Sequence, residues 1–182
     1  MKLPERTDAI EMLRRAGCPQ NVIDHCLSVT TLAVEIAAAC KKNGVDVDLR
    51  LVEIGAILHD IGRSRTHGVE HGVVGAKIVE EMGLPEEVVR IVDRHVGGGI
   101  PLEEAVKLGL PPKDHIPQTV EEKIVCYADK LIEGEKRVDL EETLRNFAME
   151  LGSDHPSLDW LRALQKEIIE LTGQDFSPEK DS

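Results

Sequence analysis

Apolar residues recur at three- and four-residue steps along most of this chain. Val22, Cys26, Val29, Ala33, Ile36, Ala37 and Cys40 mark the clearest run. That spacing is the helical period, and it predicts a helix opened by Pro19 and closed by Asn43-Gly44. An amphipathic opener from Leu3 to Arg15 precedes it and stops near Gly17. Asp48 has the position of an N-cap for a third helix with Leu51, Ile54, Leu58 and Ile61 on its buried stripe, and Gly62 is read as its stop. Arg63 to Glu70 is a polar loop, followed by a helix from His71 to Met82 that Gly83 closes. Pro85 opens another helix, with Val88, Val92 and Val96 on one side and His95 in the same arc. Gly97-Gly98-Gly99 breaks the pattern. Gly97 to Thr119 is then read as a mobile insert with one short helical piece, Leu102 to Leu108, and three prolines, Pro111, Pro112 and Pro117. Thr119 and Glu122 have the form of a capping box for a helix carrying Ile124, Ala128, Leu131 and Ile132, which Gly134 ends. Two more helices are expected, Leu140 to Leu151 and Ser157 to Leu171. No segment reads as a strand, so the expected class is all-α. The reading is one domain over 1–182, with a core at about 18–134, C-terminal helices at about 140–172 and a frayed tail over 173–182.

Composition narrows the function. The formal net charge is −12. Affinity for nucleic acid rests on Lys and Arg neutralising phosphates, so the acidity argues against nucleic-acid binding. Only one Trp, one Tyr and two Phe are present, too few for an aromatic platform that stacks successive bases. No run approaches the ~20 apolar residues of a membrane span, and the start MKLPERTDAI lacks an apolar leader core. The expectation is a cytoplasmic protein, free of membrane, for which a homodimer is allowed. Cys18, Cys26, Cys40 and Cys126 form no CxxC pair, and Cys26 and Cys126 fall within apolar helical patterns as buried free thiols.

The chemistry gathers at His59-Asp60-Ile61-Gly62. Imidazole nitrogen next to carboxylate oxygen suits a divalent ion such as iron, manganese, cobalt, nickel or zinc, with magnesium ranked below them. His59 lies one turn after Gly55, whose missing side chain leaves room beside it. His25 sits between Val22 and Val29, and Asp129 lies one turn from Val125 in a helix that reads as buried. A buried carboxylate is costly unless it is paired or binds metal. One divalent ion would satisfy these inward-pointing groups together. His67, His115 and His155, in or near loops, are read as structural.

With His25, His59-Asp60 and Asp129 in this order, the chain resembles the HD-domain superfamily of metal-dependent phosphohydrolases, and His59-Asp60-Ile61-Gly62 matches its HDIG variant. The resemblance covers about Cys18 to Gly134. It implies an all-α HD-domain helical bundle with His25, His59, Asp60 and Asp129 as ligands of a first metal. Glu70-His71-Gly72-Val73-Val74-Gly75-Ala76, Ile91-Val92-Asp93-Arg94-His95 and Tyr127-Ala128-Asp129-Lys130 are similar to the bacterial HD family that splits dinucleoside polyphosphates. That adds His71 and His95 on a second ion, with Asp60 as the bridge. The Gly97 to Thr119 insert departs from that family, and the overall sequence is closer to uncharacterised archaeal HDIG proteins.

The implied cofactor is one or two divalent ions. The implied partner is a small phosphorylated substrate, a nucleotide in the first instance. The implied reaction is hydrolysis of a phosphoester or phosphoanhydride by a metal-bound hydroxide, with Asp60 orienting the nucleophile. Arg63 and Lys130 neighbour the ligands and are candidates to bind phosphate, whereas Arg65 and Arg94 read as solvated or acid-paired. Backbone amides of Gly97 to Gly99 could approach a ligand closely, though a flexible helix stop is the plainer reading. Two alternatives stay open: a metal-dependent nucleotide-binding regulatory module without turnover, and a di-iron oxygenase on the same fold.

Overall fold

The computed structural model describes residues 2–178. Nine α-helices appear among them: α1 (Arg6–Ala16), α2 (Gln20–Lys42), α3 (Leu49–Leu58), α4 (His71–Glu81), α5 (Glu86–Asp93), α6 (Leu102–Lys107), α7 (Val120–Lys130), α8 (Leu140–Leu151) and α9 (Ser157–Thr172). The all-α helical bundle expected from the periodicity is the observed one. The caps follow local chemistry. Asp48 accepts from the amides of Arg50 and Leu51 at the start of α3, and Asp139 accepts from Glu142 at the start of α8. Thr119 caps α7 through the Glu122 amide, but the Glu122 carboxylate reaches back to the Gln118 amide at 2.7 Å, one residue earlier than a capping box requires. That carboxylate also pairs with Arg94 at 2.9 Å and with Arg90 at 3.4 Å.

Two buried apolar clusters hold the bundle. One joins α2, α3, α5, α7 and α9 through residues such as Val29, Ile36, Val125 and Leu161. The other joins α1, α2, α3 and α5 through residues such as Leu13, Ile23, Ile57 and Val92. Helices α2, α3 and α5 feed both clusters, and the site is mounted on them. By length and apolarity α2 could also cross a membrane, which the sequence reading discounted, but half of its most apolar stretch is buried inside the protein, as in a core helix. All four cysteines are free and buried, and burial raises the thiols of Cys18 and Cys126 to about 11.

Several sequence expectations need correction. Gly62 does not end α3: the helix stops at Leu58, His59 and Asp60 form a turn, and Ile61–Ser64 continue as a 3₁₀ turn. The space beside Gly55 is taken by the Ile91 side chain of α5, which a Cβ there would meet at 2.6 Å, so this glycine serves packing between helices. A two-stranded hairpin, β1 (Ile132–Glu133) and β2 (Lys136–Arg137), follows α7. Gly134 starts its two-residue turn at φ +61°, the conformation primed hairpin turns require, and does not end the helix. The insert is folded onto the body. Ile100 and His115 exchange backbone hydrogen bonds at 3.0 and 2.8 Å, and buried His115 bonds Asp93 at 3.0 Å and the Pro111 carbonyl at 3.1 Å. The tail expected to fray is docked as far as Phe176, whose side chain is buried and whose carbonyl accepts from Arg137 at 2.8 Å; residues 179–182 lie outside the described part of the chain.

Candidate metal centre

Five segments bring the six expected residues to one place. His25 comes from α2, His59 and Asp60 from the turn after α3, His71 from the first position of α4, and Asp129 from the end of α7. His95 lies two residues beyond the end of α5, outside the helix, and shares no helical arc with Val88 and Val92. The site is largely shielded from solvent: His59, Asp60, His71 and His95 are all buried.

Every one of the four histidines is oriented in the same manner. The Nδ1 atoms of His25, His59, His71 and His95 each lie 2.7 Å from a backbone carbonyl, those of Gly134, Ala56, Gly68 and Val92 respectively. A carbonyl only accepts, so each Nδ1 carries the proton and donates. A neutral ring then leaves its Nε2 with a free lone pair, and all four Nε2 atoms face Asp60 or Asp129. This is the arrangement by which proteins fix histidine tautomers for metal binding.

The carboxylate of Asp60 divides these atoms into two groups. Its Oδ1 lies 3.2 Å from His71 Nε2 and 3.3 Å from His95 Nε2, which are themselves 3.0 Å apart. Its Oδ2 lies 3.9 Å from His25 Nε2 and 3.8 Å from His59 Nε2, while Asp129 Oδ1 approaches the same two atoms at 2.9 and 3.3 Å. With bonds of ~2.1 Å, adjacent ligands on an octahedral ion lie ~3 Å apart, so both groups have the span of a coordination shell. Two lone-pair nitrogens 3.0 Å apart repel unless a cation lies between them. The buried Nε2 of His59 has no hydrogen-bond partner, another sign of a donor set made for an ion. The residues therefore fit the divalent metals that the sequence implies.

Electrostatics supports the fit. Burial raises the cost of charge on Asp60, but His59, His71 and His95 outweigh it and hold its pKa well below the usual carboxylate range. Asp129 is likewise held low against burial by Lys130, His25 and His59. Burial lowers His95 to about 4, so this ring is neutral near pH 7. At His59 burial also disfavours charge, yet Cys26, Asp60 and Asp129 draw positive charge to the ring and raise its pKa well above the ordinary value. A proton is the simplest cation this place can take.

The HD-domain family model matches residues 22–134, more than half of the chain. The chain belongs to the HD-domain family. This is a family of metal-dependent phosphohydrolases. The chain is 53% identical over 154 residues to an uncharacterised protein of Methanocaldococcus jannaschii, covering 85% of this chain and 91% of that one. It is 41% identical over 174 residues to a tRNA (cytidine(56)-2'-O)-methyltransferase of Thermoplasma volcanium, covering 96% of this chain but spanning only 49% of that relative. Among solved structures it is similar in fold to the HD domain of the L. monocytogenes phosphodiesterase PgpH in complex with cyclic-di-AMP. That match has a TM-score of 0.52 at 16% identity and covers 96% of this chain and 100% of the other.

In this HD domain the metal groups open onto a cavity of about 370 Å³, within the range of small-molecule sites. Arg63 and Lys130 both line it. The Arg63 Nε donates to Asp60 Oδ2 at 3.0 Å and its Nη1 donates to the His67 carbonyl at 3.2 Å. Lys130 pairs with Asp129 and donates to the His95 carbonyl at 3.2 Å. Burial works against its charge, but Asp129 prevails and raises its pKa, so the ammonium persists. Arg65 is exposed and Arg94 is spent on Glu122, as the sequence reading had them. His115 is a buried structural residue, and His155 approaches Glu104 at 3.7 Å. Of the glycine run, Gly97 borders the cavity.

Sequence reading placed α8 but missed that one of its faces lines the site. Thr143, Asn146 and Phe147 line the cavity, and the Thr143 hydroxyl donates to the Lys130 carbonyl at 2.6 Å. Their three- and four-residue spacing marks one helix face, a signal available in the sequence. The Gly134 carbonyl that orients His25 had no such signal, because it depends on a hairpin turn.

Proposed function

We propose that this HD domain hydrolyses a nucleotide or other small phosphoester or phosphoanhydride, with His25, His59, Asp60, His71, His95 and Asp129 holding two divalent ions. The observation that carries the reading is the Asp60 carboxylate, one oxygen directed to each histidine group. When bound, the ions supply an activated water and offset charge on the phosphoryl oxygens. The chain's own residues do the rest. Asp60 orients the attacking water toward phosphorus. The guanidinium of Arg63 and the ammonium of Lys130 take up phosphoryl oxygens, the former in a forked geometry suited to phosphate. Burial of the site shields these interactions from water and strengthens them.

Chelation gives the direct test. Protein treated with a chelator and dialysed loses hydrolysis of p-nitrophenyl phosphate and bis(p-nitrophenyl) phosphate, and manganese, cobalt or iron(II) restores it. Turnover unchanged by complete metal removal contradicts the reading.

A second reading, a domain that acts on or beside tRNA, is favoured by the alignment of nearly the whole chain with half of a tRNA methyltransferase. The net charge of −12 weighs against it. Gel-shift assays with tRNA at 50 and 200 mM salt discriminate: the first reading predicts no shift at either concentration, and a saturable shift favours the second.

A further inference from the structure

The metal-site cavity continues into a second groove of about 320 Å³. Arg63, His71, Val96, Gly97 and Phe147 wall both spaces. The two halves differ in chemistry. The first carries imidazoles, carboxylates, Arg63 and Lys130, whereas Val69, Ile100, Leu108, Leu151 and Trp160 make the second more apolar, with Glu104 and Glu150 also on its wall.

The placement of aromatic residues is informative because there are so few. Of one Trp, one Tyr and two Phe, Tyr127 and Phe176 are fully buried in the core. The other two, Phe147 of α8 and Trp160 in the first turn of α9, are partly exposed and both line the groove. Ile100 and Leu108 reach it from the insert, and Leu108 and Leu151 keep 43% and 49% of their surface open to solvent. An apolar wall with two ring faces, continuous with a pocket that carries Arg63, Lys130 and the metal-ligating residues, matches a molecule that is phosphorylated at one end and flat and aromatic at the other. Glu104 and His155 add polar groups at the same groove, available to the edge of a heteroaromatic ring.

We propose that this groove is the base-binding subsite. It holds the aromatic base of a nucleotide against Trp160 and Phe147 while the phosphate lies at Arg63, Lys130 and the metal ligands. This rests on the phosphohydrolase reading and deepens it by giving the substrate class a physical selector. The insert, which supplies Ile100 and Leu108, is then a wall of the specificity pocket. Stacking tolerates any base, so the subsite selects nucleotides over sugar phosphates more strongly than one base over another.

Trp160 is the only tryptophan, and it borders this groove and a separate cavity of about 220 Å³ beside Ile116 and Pro117. Phe147, which borders only the groove and the metal site, tells the two apart. Adenosine 5'-monophosphate and ribose 5-phosphate are titrated into the purified full chain, with and without manganese, and binding is read before turnover by stopped flow. The nucleotide is expected to quench Trp160 saturably and to bind about tenfold more tightly than ribose 5-phosphate, the scale of one lost base stack. In calorimetry, Trp160→Leu and Phe147→Leu should each weaken the nucleotide about tenfold. Trp160→Leu, at a position outside the metal-site cavity, should leave ribose 5-phosphate unchanged. Equal wild-type affinity for the two ligands, with no quenching, overturns the subsite even if a variant fails to fold. Hydrolysis of p-nitrophenyl phosphate is scored separately. Turnover without base preference removes the subsite and leaves the hydrolase reading, while base-dependent quenching without turnover removes the hydrolase reading and leaves the subsite.

Discussion

Asp60→Ala is expected to abolish phosphoester hydrolysis, by on the order of 10³-fold or more, on the scale of removing a preorganised electrostatic group from an active site. The effect is large because one carboxylate serves both histidine groups. Its Oδ1 faces His71 and His95 at 3.2 and 3.3 Å, and its Oδ2 faces His25 and His59 at 3.9 and 3.8 Å. Alanine removes a donor from each group at once and frees Arg63 from its present partner. The same variant should therefore bind less metal, measured by elemental analysis after desalting, and its lost rate should not return with excess manganese. Asp60→Asn separates charge from volume: it keeps the shape of the side chain but should lose nearly as much activity. A variant that retains wild-type turnover and metal content would remove Asp60 from the proposed chemistry.

Gly62→Ala is expected to destabilise the fold by about 3 kcal/mol or more, the upper range for overpacking, since backbone here cannot move aside without moving a site residue. A Cβ on Gly62 would overlap the His71 carbonyl oxygen and lie 2.7 Å from the Gly75 amide nitrogen. Gly75 has the reciprocal problem, since a Cβ there would come within 3.0 Å of the Gly62 nitrogen. The two glycines let the 3₁₀ turn after Asp60 lie directly against the start of α4. That contact sets the distance between Asp60 and His71. Urea midpoints measure the loss, with Gly44→Ala as the control. Gly44 has φ +82° and open space around it, so its substitution costs only the ~1–2 kcal/mol of a left-handed residue. If Gly62→Ala is no worse than the control, the close packing of turn on helix does not fix the site.

Gly62 also shows where sequence reading reaches its limit. A glycine after an apolar helix reads as a stop, because freedom of φ is a local property visible in one chain segment. Its actual service is to lack a side chain against His71 and Gly75, nine and thirteen positions away, which only the folded contact reveals. Gly55 repeats the lesson with Ile91. The helices themselves were legible, since periodicity and caps are local: Asp48 and Thr119 cap where expected, and α8 spans Leu140–Leu151 as read. Of the six candidate ligands, His25 and Asp129 were legible as polar residues on apolar helical faces and His59-Asp60 as a motif. His71 came from the family resemblance, and His95 was read on a helical arc it does not share. All six lie together in the fold. Legibility failed for the insert. Its glycines and prolines signalled mobility, while the Ile100–His115 bridge that closes it on itself and the buried Asp93–His115 pair that docks it on α5 join residues with no common periodicity.

Anomalous scattering from crystals grown with manganese tests the central claim most directly. The account predicts two peaks, one on either side of Asp60, with His71 and His95 on the first and His25, His59 and Asp129 on the second. A single peak that does not touch Asp60, or no bound ion at saturating manganese, would contradict it.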